Sequence, residues 1–344
     1  MDTRFFYHSF PRRGKTDPTA IEKGCQLLTS IRDLGLLMVP EQIEWKQPHA
    51  DGSPSRVLRI LQRRVCFTEL APHELSEHAE KFGAFALEFD IDVVRSLGAL
   101  PVFYVPDPSA QSADGSSIGA ALIAMALDAR SVIARMAGLQ EIFDGTTPVA
   151  EKLQFNTSFT ANPDLKQNVT LDTAEAKNLI TALGHGLTPL GALNSGLGAL
   201  LNFFYPADNR KGGGLLDYYR QREWRIACEF SSLGQQVIRE VAPSEREKIL
   251  QIDSEFFTRT IDSDFGPVER LSKSLILPGL NGKRVIEMVR RVIVPTGALE
   301  QARSILSKID NAPPVVDLNS LPKSITNTDV DACHSRVVSG NQFG

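Results

Sequence analysis

Glu223 stands between two arginines and beside a tryptophan, in the run Tyr218-Tyr219-Arg220-Gln221-Arg222-Glu223-Trp224-Arg225-Ile226. Read as a strand, the run turns Arg220, Arg222, Trp224 and Ile226 to one side. Tyr219, Gln221, Glu223 and Arg225 then face the other. An acid beside two arginines stays ionised and is held rigidly. Glu223 is therefore a candidate fixed carboxylate, and the plain alternative is an edge strand of alternating ion pairs. A second basic feature is Arg56-Val57-Leu58-Arg59-Ile60-Leu61-Gln62-Arg63-Arg64. On a helix, Arg56, Arg59 and Arg63 share a face that could seat phosphates; the same run also reads as a solvated amphipathic face with Leu58 and Leu61 inward. His8-Ser9, in an aromatic run, and Tyr104, at the end of an apolar one, could contact a ligand or simply pack. Cys66 could be a thiolate nucleophile, but no base stands near it in the chain, so it reads as a small buried residue.

Other chemistries are absent from the pattern. Arg210-Lys211 followed by Gly212, Gly213 and Gly214 is a basic loop without the spacing of a phosphate-cradling P-loop. His73 and His78, five residues apart, point about 140° from one another on a helix and do not readily share a metal. No HExxH, GxSxG or GxGxxG motif occurs. Cys25, Cys66, Cys228 and Cys333 are widely spaced, with no metal-ligand cadence, so no metal is expected.

The chain of 344 residues is 42% hydrophobic and 23% charged, enough to bury a core unaided. Its net charge of −4 gives no bulk footprint for nucleic acid, though a local basic patch stays open. The N-terminus is broken by charge and by Pro11, unlike a signal peptide. The weakly charged stretch 178–207 is interrupted by five glycines and two prolines and does not read as a membrane span. The expectation is a cytoplasmic protein.

These side chains need elements to hold them. Strands are expected at Phe5 to Phe10, Val65 to Thr68, Phe85 to Phe89 and Val102 to Val105. Helices are expected at Pro18 to Leu34 (capped by Asp17, stopped by Gly35), Pro72 to Phe82, and Asp90 to Leu97. Gln47 to Ser55 and residues 107–117 read as loops. A long Ala-rich helix, Ser117 to Leu139, and another opening at Leu171-Asp172-Thr173 and ending at Gly184 follow. Tyr218 to Phe230 returns to strand character. Ser244 with Glu247 forms a capping box for a helix from Glu245 to Ile261. Arg284 to Val294 fits a strand or a helix, and Gly297 to Ile309 a last helix. The fold expected is α+β, with a mixed sheet built from the N-terminal strand-helix unit and the late Glu-Trp-Arg strand. It forms one domain over 1–310, comprising the N-terminal unit 1–106, a helical insertion 117–200 and a largely helical closing part 201–310. Residues 311–344, rich in Pro, Ser, Asn and Thr, read as a disordered tail.

The order of these features resembles a known family. Tyr7-His8-Ser9, Gly35, Cys66-Phe67-Thr68-Glu69-Leu70, His78 to Gly83, Phe85 to Phe89, Pro101 to Tyr104 and Glu223-Trp224-Arg225 follow the pattern of AbiGi-type abortive phage resistance proteins and of a related bacterial domain family. The match covers about residues 5–106 and 200–230. Members often carry Lys-Pro ahead of Glu-Trp-Arg; Tyr205-Pro206 stands here, so no lysine role carries over. The resemblance implies an antitoxin-like binding protein of a phage-defence toxin–antitoxin module, with no cofactor. Its partner would be the neighbouring toxin-like gene product, bound through the apolar 185–206 segment or the charged helices. More distantly, the layout is similar to ADP-ribosyltransferases such as the DarT-type enzymes. That likeness implies NAD, with Glu223 as catalytic carboxylate for an oxocarbenium-like state. His8 and Ser9 would be ribose or amide contacts, Tyr104 a stacking ring, and Arg64 or Arg225 a phosphate contact.

Overall fold

The computed structural model describes residues 4–11, 18–47, 56–105, 118–144, 151–159, 162–184, 190–206, 222–227, 238–263 and 266–322. The chain divides into two compact units, one made of 1–44, 59–104 and 205–344, the other of 45–58 and 105–204.

The first unit is built on a mixed sheet, ten strands among the described residues: β1 (Phe5–Phe10), β2 (Leu36–Gln47), β3 (Arg56–Leu70), β4 (Phe85–Phe89), β5 (Leu100–Pro101), β6 (Glu223–Ala227), β7 (Arg239–Glu240), β8 (Leu275–Leu277), β9 (Arg291–Val294) and β10 (Val315–Asp317). Their order is β7-β8-β2-β3-β1-β4-β9-β10, with β6 pairing β3 and β5. β9 and β10 run parallel; the pairings of β1, β3, β4 and β6 are antiparallel. The architecture is α+β, as its alternating strands and helices foretell.

Alternation along β1 explains both faces of this sheet. Phe6 and Phe10 join Val65, Phe67, Phe85, Leu87, Phe89, Ile226 and Val292 in one apolar layer. Onto it pack Cys25, Leu28 and Ile31 of helix Ala20–Leu34, and Ala302 and Leu306 of helix Leu299–Leu306. Phe67 and Phe89 meet edge to face at 5.4 Å. Phe5 and Tyr7 face the other way, with Leu70, Ala86 and Ile293. That layer is covered by Leu75 and Ala79 of helix Leu75–Phe82 and by Leu318 and Leu321. Helix Ala20–Leu34 stops at Gly35, whose φ of 107° suits glycine alone; a Cβ there would stand 2.2 Å from the Leu277 carbonyl.

Four expectations are corrected. The run Arg56 to Arg64 is not a helix but part of the 15-residue strand β3, paired with β2. A shared helical face of Arg56, Arg59 and Arg63 therefore does not exist; the β-branched Val57 and Ile60 within the run, with Val65 and Phe67 after it, suit the pleat better. The helix expected from Glu245 to Ile261 begins at Pro243 and breaks at Asp253. Its box is Glu245, whose carboxylate accepts from the Ala242 N–H at 2.9 Å. Asp253 then caps a second helix, Ser254–Thr258, by accepting from the Phe256 N–H. Arg284 to Val294 divides into a 3-10 turn, Val285–Met288, and strand β9. The supposed tail contributes β10 and the turn Leu318–Ser320, because Leu318 and Leu321 bury against the second layer. Residues 323–344 lie outside the described ones, as do Asp17, the loops 48–55 and 107–117, and the ends of the Tyr218 to Phe230 run.

The second unit holds helices Ile118–Asp144, Thr173–Gly184 and Leu190–Leu201, packed around Phe143, Ala176, Ile180 and Leu190. It is not wholly helical: Lys152–Phe159 and Asn162–Asp172 form an antiparallel hairpin. Among the described residues no helix is long and apolar enough to cross a membrane.

Candidate functional site

The second sheet face carries a row of polar residues running across the strands. Glu223 of β6 lies opposite Thr68 of β3, Thr68 opposite Tyr7 of β1, Tyr7 opposite Glu88 of β4, and Glu88 opposite Arg291 of β9. Glu223, Thr68, Tyr7 and Glu88 are buried. The row has an ionic group at each end.

At the β6 end, Glu223 is held by Arg225, two residues on along the same strand and so on the same face. Arg225 Nε and Nη2 donate to its two oxygens at 2.8 and 3.1 Å. The Tyr104 hydroxyl donates at 3.4 Å, and the Cys66 thiol supplies a further hydrogen bond. An ionised carboxylate offers about four acceptor positions, and the Arg225 fork takes one on each oxygen. Arg225, whose side chain is 0% exposed, also donates through Nη1 to Gln62 Oε1 at 3.2 Å. Arg64 bonds the same Gln62 oxygen and reaches Glu41 at 2.5 Å. The Tyr205 ring lies 4.8 Å from the Arg225 guanidinium and edge-on to Tyr104 at 6.3 Å.

Burial alone would raise the Glu223 pKa from its ordinary 4.5, but the charge and hydrogen bonds of Arg225, with Arg64 and the Cys66 thiol, pull it down to about 2. Burial and the neighbouring Glu223 push the Tyr104 hydroxyl upward, keeping it a donor. Arg64 is pushed down by burial but raised further by Glu41, Cys66 and Glu223, and stays charged.

A depressed carboxylate pKa stabilises the folded chain fully above its unfolded value and loses that stabilisation as the folded group protonates. Unfolding free energy is therefore expected to fall by about 3 kcal/mol between roughly pH 4.5 and 2 on account of this one group. Urea titrations across that window check it: Glu223→Gln should flatten the slope, and an identical slope in both proteins would assign the loss elsewhere.

Of the residues singled out in the sequence, Arg64, Tyr104, Glu223 and Arg225 come together. His8 does not. It lies on the opposite face, 6.0 Å from the Phe67 ring and 6.1 Å from Phe10, with Nδ1 2.9 Å from the Cys66 carbonyl. Ser9 shares the Glu223 face by alternation, and its Oγ is buried without a hydrogen-bond partner. Adjacent residues of a strand point to opposite faces, so His8 and Ser9 do not share one. Glu41 and Tyr205 join the group without any local signal, because neighbouring strands bring them there; Gln62 stands two residues before Arg64 on β3 and shares its face.

The second ionic group was also unforeseen. Glu88 accepts from Tyr7 at 2.9 Å and from Arg291 at 2.8 and 2.6 Å, with Arg290 Nε at 3.3 Å. Burial, then Glu88, raises the Tyr7 pKa. The signal available was an acid in the otherwise apolar run Phe85-Ala86-Leu87-Glu88-Phe89, whose five residues are all buried.

Among the described residues no three His, Cys, Asp or Glu side chains converge as a metal would need. Neither a protein-family model, nor a curated protein, nor a solved structure matches the chain.

Proposed function

We propose that the chain is a phage-resistance protein of the antitoxin type, acting in the cytoplasm by binding a protein partner, without a cofactor. The observation that supports this reading over a catalytic one is the hold on both Glu223 oxygens by the buried Arg225 fork, with the Tyr104 hydroxyl as a further donor. A transferase carboxylate needs a spare oxygen for a ribose hydroxyl at the moment of bond cleavage; this one serves the fold. Cys66, Tyr104, Glu223 and Arg225, drawn from motifs of the family resemblance, form one group, which supports treating those motifs as a unit. The second unit exposes Leu122, Met125, Val132, Leu193 and Leu200, apolar surface suited to a partner. Co-expression with the neighbouring gene product tests the reading. The expected result is a stoichiometric complex that relieves that product's growth arrest; no complex and no relief would remove it.

A second reading, an NAD-dependent ADP-ribosyltransferase, is favoured by one arrangement: two guanidiniums, Arg64 and Arg225, beside a carboxylate and the rings of Tyr104 and Tyr205. Nicotinamide release from NAD tests it. Tyr104→Phe is the informative variant, since it spares the ion pair; wild-type release no faster than background would end this reading.

A further inference from the structure

Helix Ile118–Asp144 of the second unit carries an apolar stripe that the unit's own core leaves largely open. Leu122, Met125, Ala129, Val132, Met136 and Leu139 follow one another in alternating steps of three and four residues. That spacing is the seam of a helix that lies side by side with another. The helix meets its own unit through a different face. Ile123 and Ala124 are buried, and Arg130 lies against helix Leu190–Leu201, its Cζ 3.2 Å from where a Cβ on Gly198 would stand. Of the stripe, Met136 and Leu139 are half-buried, whereas Leu122, Met125 and Val132 are 45%, 66% and 54% exposed. Single exposed apolar residues are ordinary; a row of them in register along one helix marks a contact surface.

Two charges say what the surface fits. Asp128 and Arg135 border the stripe on the same edge, each one position ahead of a stripe residue, and both are exposed. Seven residues is about 10 Å of helix, too far for the two to pair with each other. A second copy laid antiparallel brings them together. With Ala129 against Val132 of the copy, Met125 meets Met136, Leu122 meets Leu139, and each Asp128 comes alongside the other chain's Arg135. A parallel copy would offer Asp128 only Ile133, and Arg135 only Gln140. The antiparallel arrangement uses the same patch twice and closes on itself. Each helix is already held by its own unit, so little ordering is left to offset on pairing.

We propose that the stripe binds a second copy of this chain. The two helices pack antiparallel about a twofold axis passing between Arg130 and Ser131, in contact from Leu122 to Leu139 over roughly 26 Å. The inference does not rest on the function proposed above; a partner using the same residues would displace the copy.

Sedimentation equilibrium of the full chain at micromolar concentrations tests it, with circular dichroism to confirm that each variant is folded. The wild type should form a dimer. Met125→Lys should weaken it by about tenfold or more, since it sets two cations into the seam. Ile91→Lys, at a position of the first unit that is 38% exposed, should leave the dimer unchanged. Asp128→Arg and Arg135→Asp should each weaken it by about fivefold, and the double exchange should restore it, because the pair is then merely reversed. A strictly monomeric wild type would overturn the proposal, as would a dimer indifferent to Met125→Lys or equally weakened by Ile91→Lys. Failure of the double exchange to restore association would overturn the antiparallel pairing.

Discussion

Glu223→Gln is expected to lower the unfolding free energy by about 3–5 kcal/mol, measured by urea denaturation at neutral pH. The cost comes less from the lost attraction than from what is stranded. Arg225 is fully buried, and water cannot replace its partner. Gln62 already serves two guanidiniums through one oxygen and has no further charge to offer. A double replacement, Glu223→Leu with Arg225→Met, should recover much of the loss, since apolar pairs of similar volume often match or exceed a buried ion pair. A loss below about 1 kcal/mol in the single variant would mean that Arg225 reaches solvent after all. Loss of transferase activity in this destabilised variant would not separate a catalytic role from a structural one, which is why Tyr104→Phe is the better enzymatic test.

Glu88→Gln should cost about 3 kcal/mol, somewhat less than its counterpart at the other end of the row. Its carboxylate is as deeply buried, but Arg290 and Arg291 are 46% and 27% exposed and can turn to water when the charge is gone. Tyr7→Phe removes one donor from the same carboxylate and should cost about 1 kcal/mol. The pair of values orders the contributions: if Tyr7→Phe proved as damaging as Glu88→Gln, packing around the ring and not the carboxylate would dominate this end.

Much of the fold is legible because helices of the first unit end at glycines. Gly35 and Gly83 mark two such ends. The joint orientation of Glu223 and Arg225 follows from alternation alone. Arg64 reaches the site, but along a strand: three arginines spaced for a helical face obscured the extension of the strand Val65 to Thr68 back to Arg56. Pairing His8 with Ser9 as ligand contacts overlooked that same alternation. The contributions of Glu41 and Tyr205 depend on which strands lie side by side, and residue order does not carry that information. The edge strand β10 was hidden by composition, for its few apolar residues are diluted among Pro, Asn and Ser.

The polar row has one more consequence, for how the strands find their places. Sliding any strand by one residue would turn its apolar side chains outward, and hydrophobicity alone forbids that. Sliding by two would keep every phenyl ring inside, so oiliness cannot discriminate against it. Such a slip would instead set Glu88 against Phe5 or Ser9 and leave Arg291 facing Ala86 or the end of its neighbour. Buried charge thus acts as the vernier of this sheet, rejecting the near-misses that a greasy interior would accept.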